Sequence, residues 1–187
     1  MPPTGAHPRG SAAIRPLTLD DGQAFALFAS RVPEGDRRFL KENLEDPAPD
    51  LAGAHRDTRE RRLVAVTESG IVGVAGAFPG SGWSSHVAEL RVLVIPDHRG
   101  AGLGRQLARS ALVAALELGC THAYVEVVAE QEALVSMFQD LGFVPEAILA
   151  DFVRDGEGEF HDLMLLTHRA QDQVPLSQLR ELSGAGL

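Results

Sequence analysis

Arg99-Gly100-Ala101-Gly102-Leu103-Gly104-Arg105 sets three glycines between two arginines. Those residue types at that spacing suit an anion. Glycines let the backbone turn tightly and approach a ligand closely. Guanidinium groups match phosphate oxygens. The apolar run Leu90-Arg91-Val92-Leu93-Val94-Ile95 precedes the loop and a long apolar-patterned segment follows it. A strand, a glycine-rich turn and a helix start together present unpartnered N–H groups and the positive end of a helix dipole, a seat for phosphate. Two carboxylates stand inside apolar strands, Glu89 ahead of the loop and Glu126 in Val125-Glu126-Val127-Val128. A charge placed there is costly without a role or a partner. For Glu89 both readings stay open, since Arg91 follows two residues on, on the same strand face. Glu126 also reads as structural or solvated. His86 and His122 titrate in a useful range, but each begins a strand, where surface placement is expected.

The positioning elements follow from period and punctuation. Ile14–Leu17 is a first strand, and Asp20 and Asp21 cap a helix carrying Ala24, Leu27 and Phe28 inward. A second helix is expected over about 34–44, with Phe39, Leu40 and Leu44 buried, and residues 46–60 form a loop. Leu63–Thr67 and Ile71–Phe78 read as a hairpin through Glu68-Ser69-Gly70. His86–Ile95 is the next strand. Leu103, Leu107, Ala111, Leu112, Ala115 and Leu118 recur at the helical period until Gly119. Ala123–Val128 is a β-branched strand. A helix over about 130–141 turns Ala133, Leu134, Met137, Phe138 and Leu141 inward. Strands near 143–154 and 160–167 close the chain. Helices fall early and late among strands joined mostly by short turns, which predicts a mixed sheet in a single α+β domain. We assign 1–10 to a disordered leader, 11–169 to the domain and 170–187 to a polar tail.

Bulk properties narrow the function. The 187 residues suit one domain with a sizeable core. The formal net charge of −9 opposes general nucleic-acid binding, which needs a basic face, and docking on an anionic membrane. A phosphate site is therefore local. One cysteine, Cys120, precludes an internal disulfide and agrees with a reducing compartment, so a cytoplasmic location is expected. No apolar run approaches the roughly 18 residues of a membrane span. No metal site is expected.

The loop's rivals are weighed by spacing. A dinucleotide fingerprint needs G-x-G-x-x-G, one residue more than Gly100-Ala101-Gly102-Leu103-Gly104 supplies, and a Walker loop needs Lys-Ser/Thr where Arg105-Gln106 stands. Val94-x-Pro96-x-x-Arg99-Gly100-x-Gly102-x-Gly104, with Leu141-Gly142-Phe143 after a later helix, resembles the GNAT family of N-acetyltransferases over about residues 12–168. The segments Gly82–His86, Glu130–Ala133 and His161–Leu163 are similar to a bacterial branch of protein or amino-acid acetyltransferases.

The resemblance implies a sheet splayed between its fourth and fifth strands, mostly antiparallel and flanked by helices. It implies acetyl-CoA, or another acyl-CoA, as cosubstrate in the opening. The pyrophosphate would lie on Arg99, Gly100, Ala101, Gly102, Leu103, Gly104 and Arg105, and the pantetheine would pair with the strand near Leu93 and Val94. Gln131 would contact the pantetheine or pyrophosphate region. A bulge in the cofactor strand would aim an N–H at the thioester oxygen, a stabiliser of the oxyanion. The acceptor would be an amine of a small molecule, an amino acid or a protein. An alkyl ammonium has a pKa near 10.4, so a base is required, with Glu89 first and Glu126 second. Phe138 stands where many members have a tyrosine acid and has no proton to give; it would pack against the cofactor or the core instead. That substitution keeps a second reading open, a non-catalytic acyl-CoA sensor. The acceptor pocket would form from residues 20–60, the 79–85 loop and the 151–161 hairpin. A homodimer through the last strands or the tail is a further expectation.

Overall fold

The computed structural model describes residues 12–37 and 59–170. The leader, Phe39, Leu40 and Leu44 of the second helix, the 46–58 stretch and the tail past residue 170 lie outside the described residues. The elements in chain order are β1 Ala13–Pro16, α1 Gly22–Ser30, α2 Glu34–Arg37, β2 Arg61–Thr67, β3 Gly70–Pro79, β4 Val87–Val94, α3 Leu103–Glu117, β5 His122–Val128, α4 Glu132–Gln139, β6 Val144–Arg154 and β7 Phe160–Arg169. The seven strands form one sheet in the order β1-β2-β3-β4-β5-β7-β6. Every neighbouring pair is antiparallel except β4 and β5. The chain is a single α+β domain with a mixed, mostly antiparallel sheet.

Helix α3 is the crossover that parallel β4 and β5 require. Its Leu107, Ala111 and Ala115 are fully buried against the sheet. Gly73 makes that approach close: a Cβ there would lie 2.8 Å from Leu107 Cδ1. Val74 is one residue on, so it faces the other side of β3. That side holds α1, whose Phe25 shares a pocket with Val74, Phe78 and Leu93.

Two inward stripes differ from expectation. Leu27 is 59% exposed, while Phe25, Phe28, Ala29 and Val32 are buried. Helix α1 begins at Gly22, and the spacing 25, 28, 29, 32 defines its inner stripe, which leaves Leu27 outside. Asp21 does not cap α1 with its carboxylate. Its oxygens instead take Arg15 Nη1 and Nη2 at 2.7 and 2.6 Å and the Thr18 N–H at 2.9 Å. In α4 the buried Phe138 fixes the inner face, so Leu134 and Val135 turn inward and Ala133 is exposed.

Candidate active site

The parallel seam of the sheet is short. It comprises Val87↔His122, Ala88↔Ala123 and Glu89↔Tyr124. Beyond Glu89, β4 keeps its partner β3, register-matched without a shift from Pro79↔Ala88 to Gly73↔Val94. Strand β5 keeps β7 as far as Val128↔Leu163. Each strand retains its outer neighbour while the two part from each other. The result is a wedge with Glu89 and Tyr124 at its apex and the glycine loop at its mouth. The expected bulge leaves no mark on the β3–β4 register.

At the mouth, Gly102 caps α3 with φ +85° and ψ 0°, a left-handed conformation that L side chains rarely adopt. Nothing lies within 4 Å of a Cβ built there or at Gly100. The first turn of α3 starts with Leu103, Gly104 and Arg105, whose N–H groups precede any intrahelical partner. Leu103 is buried and Ala101 exposed, and a Cβ at Gly104 would meet Met137 Sδ at 3.6 Å. Open space, outward N–H groups and a helix dipole fit a pyrophosphate. The arginines are already engaged. Arg99 Nε donates to the Val94 carbonyl at 2.7 Å and its Nη2 to Asp36 of α2 at 2.5 Å. Arg105 pairs with Asp140 just past α4.

Along the wedge, Val94 is buried on the α3 side and Leu93 is half-buried on the α1 side. Gln131 caps α4: its N–H donates to Val128 O at 2.9 Å and its carbonyl accepts from Leu134 and Val135. Its side chain is exposed. Phe138 is 3% exposed and its ring stands edge-on to Phe143, 5.3 Å between centroids.

Glu89 is 8% exposed. Its carboxylate takes two charge-assisted bonds from Arg91, Nε to Oε1 and Nη2 to Oε2, each 3.0 Å. Glu126 is half-buried, opposite Leu165, on the same face of β5 as Tyr124. Register places Arg62, Gly76 and Arg91 side by side on β2, β3 and β4. Gly76 has no side chain, so the Phe78 ring folds back across it; a Cβ would sit 2.5 Å from Phe78 Cε2. The two guanidiniums then rest against that ring, Arg91 at 4.4 Å and Arg62 at 5.0 Å from its centroid. Arg62 is held in turn by Glu60 at 3.1 Å. This row borders the pocket under α1, whose floor includes Leu17, Phe25, Val74 and Leu93.

The structure thus brings together Glu89, Tyr124, Glu126 and the loop about one wedge, whereas Phe138 lies in the core. The Phe78 row and the Arg99–Asp36 bridge were missed from sequence. Alternation puts Gly76 and Phe78 on one face of β3, but Arg62 and Arg91 join them only once the register is known. The second joins residues 63 apart with no local signal.

A family model described as acetyltransferase (GNAT) family matches residues 26–143. The chain belongs to the GNAT family. It is 29% identical over 140 residues to an Escherichia coli K12 protein called an uncharacterized N-acetyltransferase, YjgM, covering 71% of this chain and 82% of that one. It is 31% identical over 121 residues to streptothricin acetyltransferase of Streptomyces lavendulae, covering 58% of this chain and 64% of that one. Among solved structures, that of yncA from Salmonella typhimurium with its cofactor acetyl-CoA has a TM-score of 0.70 at 17% identity, covering 89% of this chain and 98% of that one. The GNAT protein described here is an acetyl-CoA-dependent N-acyltransferase. No helix among the described residues is long and apolar enough to cross a membrane.

Proposed function

We propose that the protein acetylates a primary amine by direct attack, with Glu89 as the base. The observation that supports this reading is the seam ending at Glu89 and Tyr124, which sets a buried carboxylate at the apex of the wedge. Acetyl-CoA supplies an activated acyl group there. The backbone N–H groups of 100–105 hold its phosphates, that of Arg99 being given to the Pro96 carbonyl at 3.0 Å, and β4 near Leu93 and Val94 supplies the pairing edge for its arm. An N–H of that edge stabilises the oxyanion.

The acceptor nitrogen gives up two protons in all. Glu89 takes one, directly or through a water, and the other goes to the departing sulfur. The nitrogen lone pair forms the C–N bond while the C–S pair leaves on sulfur. A thiol pKa near 8.5 makes that leaving group tolerable without a tyrosine acid, and Phe138 donates nothing. Glu126, one step further along the Tyr124 face, is the carboxylate placed to pass the proton to solvent. Arg91 competes with the acceptor for the base, because both carboxylate oxygens of Glu89 already accept from its guanidinium.

The reaction fits a cytoplasmic protein with a lone buried cysteine. A homodimer would use β6, an 11-residue edge strand that exposes Val144, Ile148 and Phe152. A thiol-release assay with acetyl-CoA and an amine panel tests the central reading. Amine-dependent release that Glu89→Gln lowers at least tenfold, with acetyl-CoA affinity unchanged, supports it. Wild-type turnover in Glu89→Gln across pH refutes it.

A further inference from the structure

Each arginine of the glycine loop bonds to a carboxylate from a different part of the fold. Arg99 meets Asp36 of α2, and Arg105 meets Asp140 just past α4. The second pair is placed against local preference. Arg105 stands in the first turn of α3, where the positive end of the dipole repels a cation. Asp140 caps the C-terminus of α4, where the negative end repels an anion. Helix stability therefore accounts for neither charge. An anion seated on the loop accounts for Arg105, and Asp140 then answers Arg105. Both pairs lie at the surface. The side chains of Arg105 and Asp140 are 42% and 54% exposed, and those of Arg99 and Asp36 are 44% and 29% exposed. Ion pairs at such exposure hold weakly, so another anion can exchange with the carboxylate. Phosphate oxygens accept from the same guanidinium fork.

We propose that Asp36 and Asp140 compete with the phosphates of the cosubstrate for Arg99 and Arg105, and so set how tightly the CoA group is held. The inference rests on residues 100–105 seating those phosphates. As the phosphates arrive, Arg105 turns to them from Asp140. As the product leaves, Asp140 takes the guanidinium back. Arg99 exchanges through Nη2, while its Nε stays on the Val94 carbonyl. Acetyl-CoA and the free thiol carry identical phosphates, so the competition weakens the hold on substrate and product alike. Both acids act through an arginine as positioning residues, and neither touches the thioester or the amine.

The test is calorimetry of acetyl-CoA and of CoA on Asp140→Asn, Asp36→Asn and the double variant. Each single change should tighten both ligands about two- to fivefold, the range an exposed ion pair withholds. The two pairs share no residue, so the double variant should gain about the product of the two factors. A lost negative charge near phosphate also tightens binding by its field alone, and Arg105→Gln separates the two causes. In that background Asp140→Asn should gain nothing, because there is no guanidinium to release. A gain that persists with Arg105→Gln, or no gain in Asp140→Asn on the native background, overturns the proposal. Gly102→Val judges the loop separately. If that variant binds acetyl-CoA like the wild type, or the wild type binds neither ligand, the phosphate seat and the competition fall together. If Gly102→Val loses binding and Asp140→Asn gains none, only the competition falls.

Discussion

Gly76→Ala tests the Phe78 row most directly. The added Cβ would lie 2.5 and 2.6 Å from Phe78 Cε2 and Cζ. Carbon atoms pack at about 3.5–4.0 Å, so the ring must retreat by about 1 Å. It cannot do so along β3, where backbone pairing with β2 and β4 fixes its Cα. The ring has to swing off the strand, which parts it from both guanidiniums. Each contact is worth about 0.5–1 kcal/mol at a half-exposed site. Overpacking adds about 1–3 kcal/mol, and replacing a mid-strand glycine returns about 0.5–1 kcal/mol. The net loss is about 2 kcal/mol, a fall in Tm of about 4–8 °C for a domain of this size. Differential scanning calorimetry of Gly76→Ala, Phe78→Leu and the double variant checks the cause as well as the size. Leucine lacks the atoms that clash, so Gly76→Ala should cost about 1 kcal/mol less in that background. A Tm within 1 °C of wild type, or strict additivity of the two changes, would refute the reasoning.

Other outcomes can be measured alongside. Gly102→Val forces a β-branched residue to φ +85° at the α3 cap and narrows the phosphate seat; acetyl-CoA affinity should fall at least tenfold by calorimetry, and unchanged binding would remove the loop from the cosubstrate site. The Asp21 carboxyl is held well below the usual carboxylate range, first by its bonds to Arg15, with Thr18 adding to the effect against its burial. A depressed carboxyl stabilises the fold above its unfolded pKa near 3.9 and loses that stabilisation as pH falls toward its folded value. Asp21→Asn should therefore cost about 1–2 kcal/mol at pH 7, and the gap to wild type in urea melts should narrow below about pH 4. Burial pushes the Cys120 thiol up, so a disulfide reagent should titrate it slowly in the native protein and at once in denaturant. A fast native reaction would contradict its packing.

The sequence carried the loop and the element order because both are local. Arg99 to Arg105 shows its glycines at fixed offsets, and α3 repeats Leu107, Ala111 and Ala115 at helical spacing. Strand boundaries moved by a residue or two, as hydrogen bonding at ends is weakly patterned. What stayed hidden depends on pairing between distant strands. The family resemblance implied that β4 and β5 part, but no periodicity reveals that they first pair for three residues, or that Tyr124 stands beside Glu89. The orientation of α1 was misread at Leu27 because 24, 27, 28 and 25, 28, 29 are both helical stripes, and packing against β3 chooses the second. Phe78 looked like an ordinary strand residue until Gly76 was seen to lie beneath its ring.

The short seam has a consequence for exchange of backbone protons. From Leu90 to Val94, alternate amides of β4 point toward β3 and are locked in its ladder. The intervening amides point into the wedge, where the described β5 pairing has ended. Deuterium uptake along this one strand should therefore alternate, slow then fast, within five consecutive residues. A ligand laid along the wedge as an added strand would slow the fast set and leave the slow set as it was. The strand would then report occupancy of the wedge residue by residue, without any measurement of turnover.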